Sequence, residues 1–260
     1  MNAHRPRKRF GQHFLADPAI INRIVSLISP QAGENIVEIG PGEGVLTEHL
    51  VASGADVSAI EIDRDLVARL SERFAEQSNF RIINSDVLKV DFPQLIGVNK
   101  AHVVGNLPYN ISTPLLVHLF ASLDRINRMT FMLQREVVER MCARPGSGSI
   151  GRLSILTQTH CEAENLLLVP PAAFVPPPKV DSAVVRLVPC AQQLRPSVAA
   201  RLAQITQAAF SQRRKKIKSG LKKLCSAEEL DAQGIDPDAR PDVIGIELFV
   251  ALAEYLVQRD

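Results

Sequence analysis

The chain has 260 residues, enough for one large domain or two, and an apolar content of 46% can fill a core. Thirty Lys and Arg against 28 Asp and Glu leave a net charge of +2, so the total marks neither a basic tail nor an acidic one. Four scattered cysteines without a CxxC pair, and no apolar run near the length of a membrane span, argue against a disulfide framework, a zinc site and membrane insertion.

The N-terminus carries Arg5, Arg7, Lys8 and Arg9 before the first acid, Asp17, and lacks the unbroken apolar stretch of a signal peptide. With its thiols free, the chain is expected in a reducing cytoplasm. Residues 17–29, "DPAIINRIVSLIS", repeat apolar positions at helical spacing behind an Asp-Pro start. "ENIVEIG" (34–40) then predicts a strand, "VLTEHLVASG" (45–54) a helix, "DVSAIEID" (56–63) a strand and "RDLVARLSERFA" (64–75) a helix. "FRIINSD" (80–86) and "KAHVVGN" (100–106) predict two more strands, with a helix over 114–122 capped by Thr113 and a strand over 128–134. Strands alternating with helices predict a parallel sheet covered on both faces.

"RPGSGSIGR" (144–152) predicts a mobile surface loop, and 166–188 a Pro-punctuated linker running into a strand. Beyond residue 195 only helical periodicity remains. The expected division is an α/β domain over 1–190 and a small all-α domain over 195–260. From Ser182 to Ala227 no acid occurs, while ten Lys and Arg do. "FSQRRKKIKSGLKKL" (210–224) predicts one amphipathic helix, with Phe210, Ile217, Leu221 and Leu224 inward and Arg214, Lys218 and Lys222 outward. Such a basic face fits a polyanion.

Ligands of an open parallel sheet bind beyond the carboxyl ends of its strands. Those ends carry "EIGPGEG" (38–44), Glu61 with Asp63, Asp86, and Asn106. Gly40, Gly42 and Gly44 would let backbone approach a ligand. Glu61 stands 21 residues after Gly40, where an acid can accept both ribose hydroxyls. Asp86 suits an adenine amine or, alternatively, a helix N-cap. The GxGxG spacing is not the dinucleotide form, and Glu43 suits no pyrophosphate. An adenosine cofactor with a cationic centre, S-adenosylmethionine, fits better.

At the fourth strand end stands "GNLPYNIS" (105–112). The side-chain oxygen of Asn106 and the carbonyl of Leu107 could hold the two N–H groups of an adenine amine and turn its lone pair outward. Pro108 restricts Leu107 to extended conformations and so aims that carbonyl. Tyr109 offers a stacking face. A plain turn would use the same residue types.

These stretches resemble the rRNA adenine N6,N6-dimethyltransferases, and the small-subunit type in particular. "RKRFGQHFL" (7–15), "VEIGPGEGVLT" (37–47), "IEID" (60–63), "SDVL" (85–88), "GNLPYNISTPLL" (105–116), "FMLQREVVERM" (131–141), "FVPPPKVDSAVVRL" (174–187) and "AFSQRRKKIKSGL" (209–221) follow in family order. The resemblance implies a Rossmann-like methyltransferase domain followed by a small helical one. It implies that His13, Leu15, Gly40, Gly42, Glu61, Asp86 and Asn106 bind S-adenosylmethionine. It implies that Asn106, Leu107, Pro108 and Tyr109 hold the target base, with Phe174 stacking on its other face. Arg7, Lys8, Arg9, Arg213, Arg214, Lys215, Lys216, Lys218 and Lys222 are expected on RNA. The implied substrate is a pair of adjacent adenines near the 3′ end of small-subunit (16S) rRNA, met during subunit assembly. A large-subunit enzyme and a non-catalytic assembly factor are the alternatives. The expected protein is a monomer with no metal and no membrane partner. His13 stands where the family's opening motif usually has Asn.

Overall fold

The structure, a computed structural model, describes residues 12–108, 111–212 and 214–260. A two-residue strand β1 (Phe14–Leu15) leads into helix α1 (Pro18–Ile28). Asp17 caps that helix as its sequence implies, accepting from the Ala19 and Ile20 amides at 2.8 and 3.2 Å. There follow β2 (Asn35–Ile39), α2 (Val45–Ala52), β3 (Asp56–Glu61), α3 (Arg64–Arg73), β4 (Phe80–Asn84), α4 (Phe92–Ile96) and β5 (Ala101–Asn106). Next come α5 (Ser112–Phe120), β6 (Ile126–Gln134), α6 (Arg135–Met141), α7 (Arg152–His160), β7 (Cys161–Val169), β8 (Phe174–Val175) and β9 (Ser182–Pro189). The remainder is helical: α8 (Pro196–Ser211), α9 (Ile217–Leu221), α10 (Ala227–Ala232) and α11 (Ile246–Arg259).

Seven strands form one sheet in the order β4-β3-β2-β5-β6-β9-β7, and β1 pairs separately with β8. The pairs from β4 to β6 are all parallel, as the βα alternation requires, whereas β9 runs antiparallel to β6. The chain moves outward from β2 first to β3 and β4, then returns to β5 on the other side. The crevice between β2 and β5 is therefore the point where the winding reverses. Residues of β2, β3, β5 and β6 are buried over most of their length, which is why these strands read as near-continuous apolar runs.

A polar network sits inside this sheet. His102 on β5 is fully buried and contacts Thr130 Oγ1 through Nε2 at 2.9 Å. Arg128 donates to His102 Nδ1 at 3.0 Å and to Glu34 at 2.9 Å. Burial holds the imidazole below its usual value despite the Glu34 carboxylate nearby.

The chain divides into two compact units, one comprising residues up to Val138 with Glu164–Pro189, the other Glu139–Ala163 with Cys190–Asp260. This differs from the contiguous division expected at 190–195. The segment 139–163 belongs with the C-terminal helices because Ile155 of α7 packs into their core, among Leu202, Ile205, Phe249 and Leu252. The expected mobile loop over 144–152 is also pinned: the Gly146 amide donates to the Asp242 carbonyl at 2.7 Å, and Ile150 is fully buried. Helix α5 starts at Ser112 behind Ile111, two residues earlier than Thr113-Pro114 suggested. Pro114 is tolerated there because amides of the first helical turn have no intrahelical partner.

Candidate functional site

The turn after β2 explains its glycines. Gly40, Gly42 and Gly44 take φ of 66°, 59° and 81°, the left-handed region that side chains resist. The Gly40 amide reaches the Ile60 carbonyl at 2.9 Å, and the Gly44 amide closes onto Pro41 at 2.9 Å. A Cβ at Gly44 would stand 2.6 Å from the Leu70 side chain. This loop forms one wall of a cavity of about 330 Å³ that opens over the ends of β2, β3, β4 and β5.

Glu61 ends β3 with its side chain against that cavity, only 6% exposed. Its carboxylate accepts from the Ile62 and Asp63 amides at 2.8 and 2.9 Å and from the Gly42 amide at 3.3 Å. Burial raises its pKa and these amides pull it back. It is thus an oriented carboxylate, not a solvated one at a strand end. Asp86 combines both of its expected readings: Oδ1 caps the short turn Val87–Lys89 by accepting from Leu88 N at 3.1 Å, and the residue lines the cavity. Glu38 was not singled out by sequence. It lies on β2 at the cavity floor, takes the Thr47 hydroxyl at 2.6 Å, and is pushed up to about 7 by burial.

On the other side of the crevice, Asn106 ends β5 in register next to Met132. Its side-chain Nδ2 donates to the His13 carbonyl at 3.1 Å. That assigns the amide orientation and leaves Oδ1 as an acceptor. Leu107 is buried, and its amide is tied to the Met132 carbonyl at 3.1 Å. No described residue donates to its carbonyl. The Pro108 carbonyl accepts from the Ile111 amide and the Ser112 hydroxyl at 3.2 and 3.3 Å, so the turn after Asn106 is closed on itself. Gly105 has a different cause from ligand approach: a Cβ there would meet the Ile39 carbonyl oxygen at 2.5 Å.

Residues 12–15 close the cavity from a third side. Phe14 and Leu15 pair antiparallel with Val175 and Phe174. Gln12 donates to Asp63 at 3.2 Å, and a Cβ on Gly42 would stand 3.1 Å from the Phe14 ring. His13 Nδ1 lies 2.8 Å from the Pro176 carbonyl. A carbonyl can only accept, so Nδ1 is the donor there. His13 therefore ties the "FVPPPKV" segment to the carbonyl that holds Asn106.

All seven expected cofactor residues, His13, Leu15, Gly40, Gly42, Glu61, Asp86 and Asn106, line this one cavity, as do Leu107 and Pro108. Tyr109 lies outside the described residues, as do Arg7, Lys8, Arg9 and Arg213. Phe174 does not reach the cavity. It is 2% exposed within the apolar cluster around Leu15 and Ile24, because alternation along β8 turns Phe174 inward and Val175 outward. The single basic helix over 210–224 is also corrected. Helix α8 stops at Ser211 and α9 starts at Ile217, with Arg214, Lys215 and Lys216 in the connection and Lys218 and Lys222 on or just after α9. Ile111, given no role by sequence, lines the cavity beside Pro108.

A model of the ribosomal RNA adenine dimethylase family matches residues 3–258. The chain is 51% identical over 254 residues to ribosomal RNA small subunit methyltransferase A of Nitrosococcus oceani, covering 97% of this chain and 96% of that protein. It is 50% identical over 260 residues to the protein of the same name from Pseudomonas putida, covering 98% and 97%. Among solved structures it is similar to the 23S rRNA methyltransferase ErmE, with a TM-score of 0.73 and 26% identity over 94% of this chain and 99% of that one. A dimethyladenosine transferase from Plasmodium falciparum shares the fold, with a TM-score of 0.78 and 24% identity over 92% and 96%. The glycine turn, the carboxylates at its strand ends and the Asn-Leu-Pro turn are those of a chain that belongs to the ribosomal RNA adenine dimethylase family.

Proposed function

We propose that this chain transfers methyl groups from S-adenosylmethionine to the N6 amines of two adjacent adenines near the 3′ end of 16S rRNA, giving N6,N6-dimethyladenosines during small-subunit assembly. The observation that carries the reading is the state of Asn106. Its amide nitrogen is spent on the His13 carbonyl, and no described residue donates to its oxygen, at the edge of a cavity whose wall also holds Glu61.

The residues fit the cofactor. The oriented carboxylate of Glu61 suits a ribose diol, and the Asp86 oxygen not used in capping suits an adenine amine. Among the described residues no lysine or arginine lines the cavity, whereas Glu38 and Glu43 do, which suits a cation and not a phosphate. When bound, S-adenosylmethionine supplies an electrophilic methyl on a positively charged sulfur. Asn106 Oδ1 and the Leu107 carbonyl accept from the adenine amine and hold its lone pair in line. Pro108 and the closed turn behind it keep both acceptors in place. Tyr109 follows directly and supplies the stacking face. Positioning carries the catalysis, and no tuned general base is required. The family resemblance puts His13 in the cofactor site, and its hydrogen bond to Pro176 makes it a strut of the site wall.

Basic residues of the helical unit, with those of the N-terminus, meet rRNA phosphates. The chain acts as a monomer in the cytoplasm, on subunits under construction. No helix among the described residues is long and apolar enough to cross a membrane. The test is radiolabelled methyl transfer to under-methylated small and large subunits, followed by nucleoside analysis. Dimethyladenosine in small subunits only, lost in Asn106→Ala and Glu61→Ala, is expected. Label in large subunits would turn the assignment to the other rRNA. Full activity of either variant would sink the site assignment, and binding without transfer would make the chain an assembly factor.

A further inference from the structure

Two of the lysines expected on RNA already share a counter-charge. Lys216 and Lys218 both approach a single oxygen, Asp238 Oδ1, at 3.1 and 2.6 Å, and the three side chains remain about half exposed, at 55%, 45% and 53%. The backbone enforces this meeting. The Ile217 amide donates to the Ala239 carbonyl at 2.8 Å and the Lys218 amide to the Pro237 carbonyl at 3.2 Å. Asp236 Oδ1 accepts from the Asp238 amide at 2.8 Å, which closes the 236–239 turn without using the Asp238 side chain. Ile217, between the lysines, is fully buried and anchors them. Lys218 and then Lys216 hold the Asp238 carboxyl below its usual range. Among the described residues, Arg214, Lys215, Lys222 and Lys223 make no ion pair.

Two ammonium groups around one carboxylate present a net charge of one. Toward a phosphate backbone they count as about one released counterion instead of two. We propose that Asp238 is a specificity-setting residue of the RNA surface: a built-in counter-charge that keeps Lys216 and Lys218 in fixed positions while halving their pull on RNA in general. A phosphate placed between the two ammonium groups gains two oriented donors. A phosphate arriving anywhere else meets a cluster whose net charge is one instead of two. The inference rests on the RNA reading above.

The test is the salt dependence of binding to unmethylated small subunits and to a duplex RNA of unrelated sequence, for the wild type, Asp238→Asn, Lys216→Met/Lys218→Met and the triple variant. Asp238→Asn is expected to steepen the slope of log affinity against log salt by about 0.7–0.9 on both RNAs. Its affinity advantage over the wild type then shrinks about three-fold between about 50 and 200 mM salt. Its preference for the small subunit over the duplex should fall. Replacing both lysines should flatten the slope by about one such step in the wild type and by about two in the Asp238→Asn background. An unchanged slope in Asp238→Asn overturns the proposal, and so does weaker binding to both RNAs at an unchanged slope, which would leave Asp238 a structural residue. A wild type that binds neither RNA with any salt dependence overturns the RNA reading, and the proposal with it.

Discussion

Glu38 shows what burial does to a single carboxyl in this site. It sits on a central strand, 1% exposed, with the Thr47 hydroxyl as its one donor among the described residues, and burial moves its pKa from 4.5 to about 7. A carboxyl whose folded-state pKa is raised adds stability that is fully present below about 4.5 and is lost as the pH climbs through about 7. The loss amounts to at most about 3 kcal/mol. Glu38→Gln keeps an acceptor for Thr47 and cannot ionise. Denaturant unfolding of the cofactor-free protein should therefore find the variant gaining on the wild type from pH 5 to pH 8. A difference that stays flat across that range would mean Glu38 is ionised throughout. Sequence located Gly40, Glu61, Asp86 and Asn106 because each follows a strand whose end is marked by a turn. It passed over Glu38 because an acid inside an apolar strand carries no such mark. The burial of Phe174 was not legible for a related reason: a two-residue strand is too short to show in sequence which of its side chains points inward.

At the scale of elements, the break between α8 and α9 is the feature the pattern hid. Residues 211–216 contain neither Gly nor Pro, and the apolar stripe of Phe210, Ile217, Leu221 and Leu224 continues across them. The break comes from tertiary contact. Helix α9 turns back against α8 at Gly220, where a Cβ would stand 3.1 Å from the Ala208 carbonyl oxygen and 3.3 Å from Ala209 Cα. Its first amides are taken by the 237–239 carbonyls instead of by α8. A straight helix would forgo both contacts and the burial of Ile217. Gly220→Val should force the two helices apart and cost about 1–3 kcal/mol. Gly148→Val, where nothing lies within 4 Å of the added Cβ, is the control. Thermal unfolding of the full chain compares them, and equal midpoints would show that α9 can shift away at no cost. The βα alternation was legible because each parallel strand is buried on both faces and reads as one apolar run. The reversal of β9 was not, since strand direction leaves no trace in composition.

At the scale of the whole molecule, the chain leaves the sheet after β6, contributes 139–163 to the helical unit, and returns to the sheet for β7 and β9. Composition changes only near residue 190, so a reading by composition cuts there. The earlier excursion is silent because α7 buries Ser154 and Thr157 as fully as Ile155, and no apolar stripe marks its inner face. The consequence concerns what can fold alone. A fragment ending at residue 190 keeps Ile155 but loses Val198, Leu202, Ile205, Phe249, Leu252 and Leu256, the residues that cover it. Losing such packing leaves apolar surface in water at about 25 cal/mol per Å². The 1–190 fragment should bind a hydrophobic dye and unfold over a broad range, where the full chain unfolds sharply. A second fragment that also replaces 139–163 with a short Gly/Ser linker should bind less dye, because it no longer carries the half-core. If the 1–190 fragment instead unfolds cooperatively and stays dye-free, segment 139–163 can pack without the C-terminal helices, and the contiguous boundary is the right one.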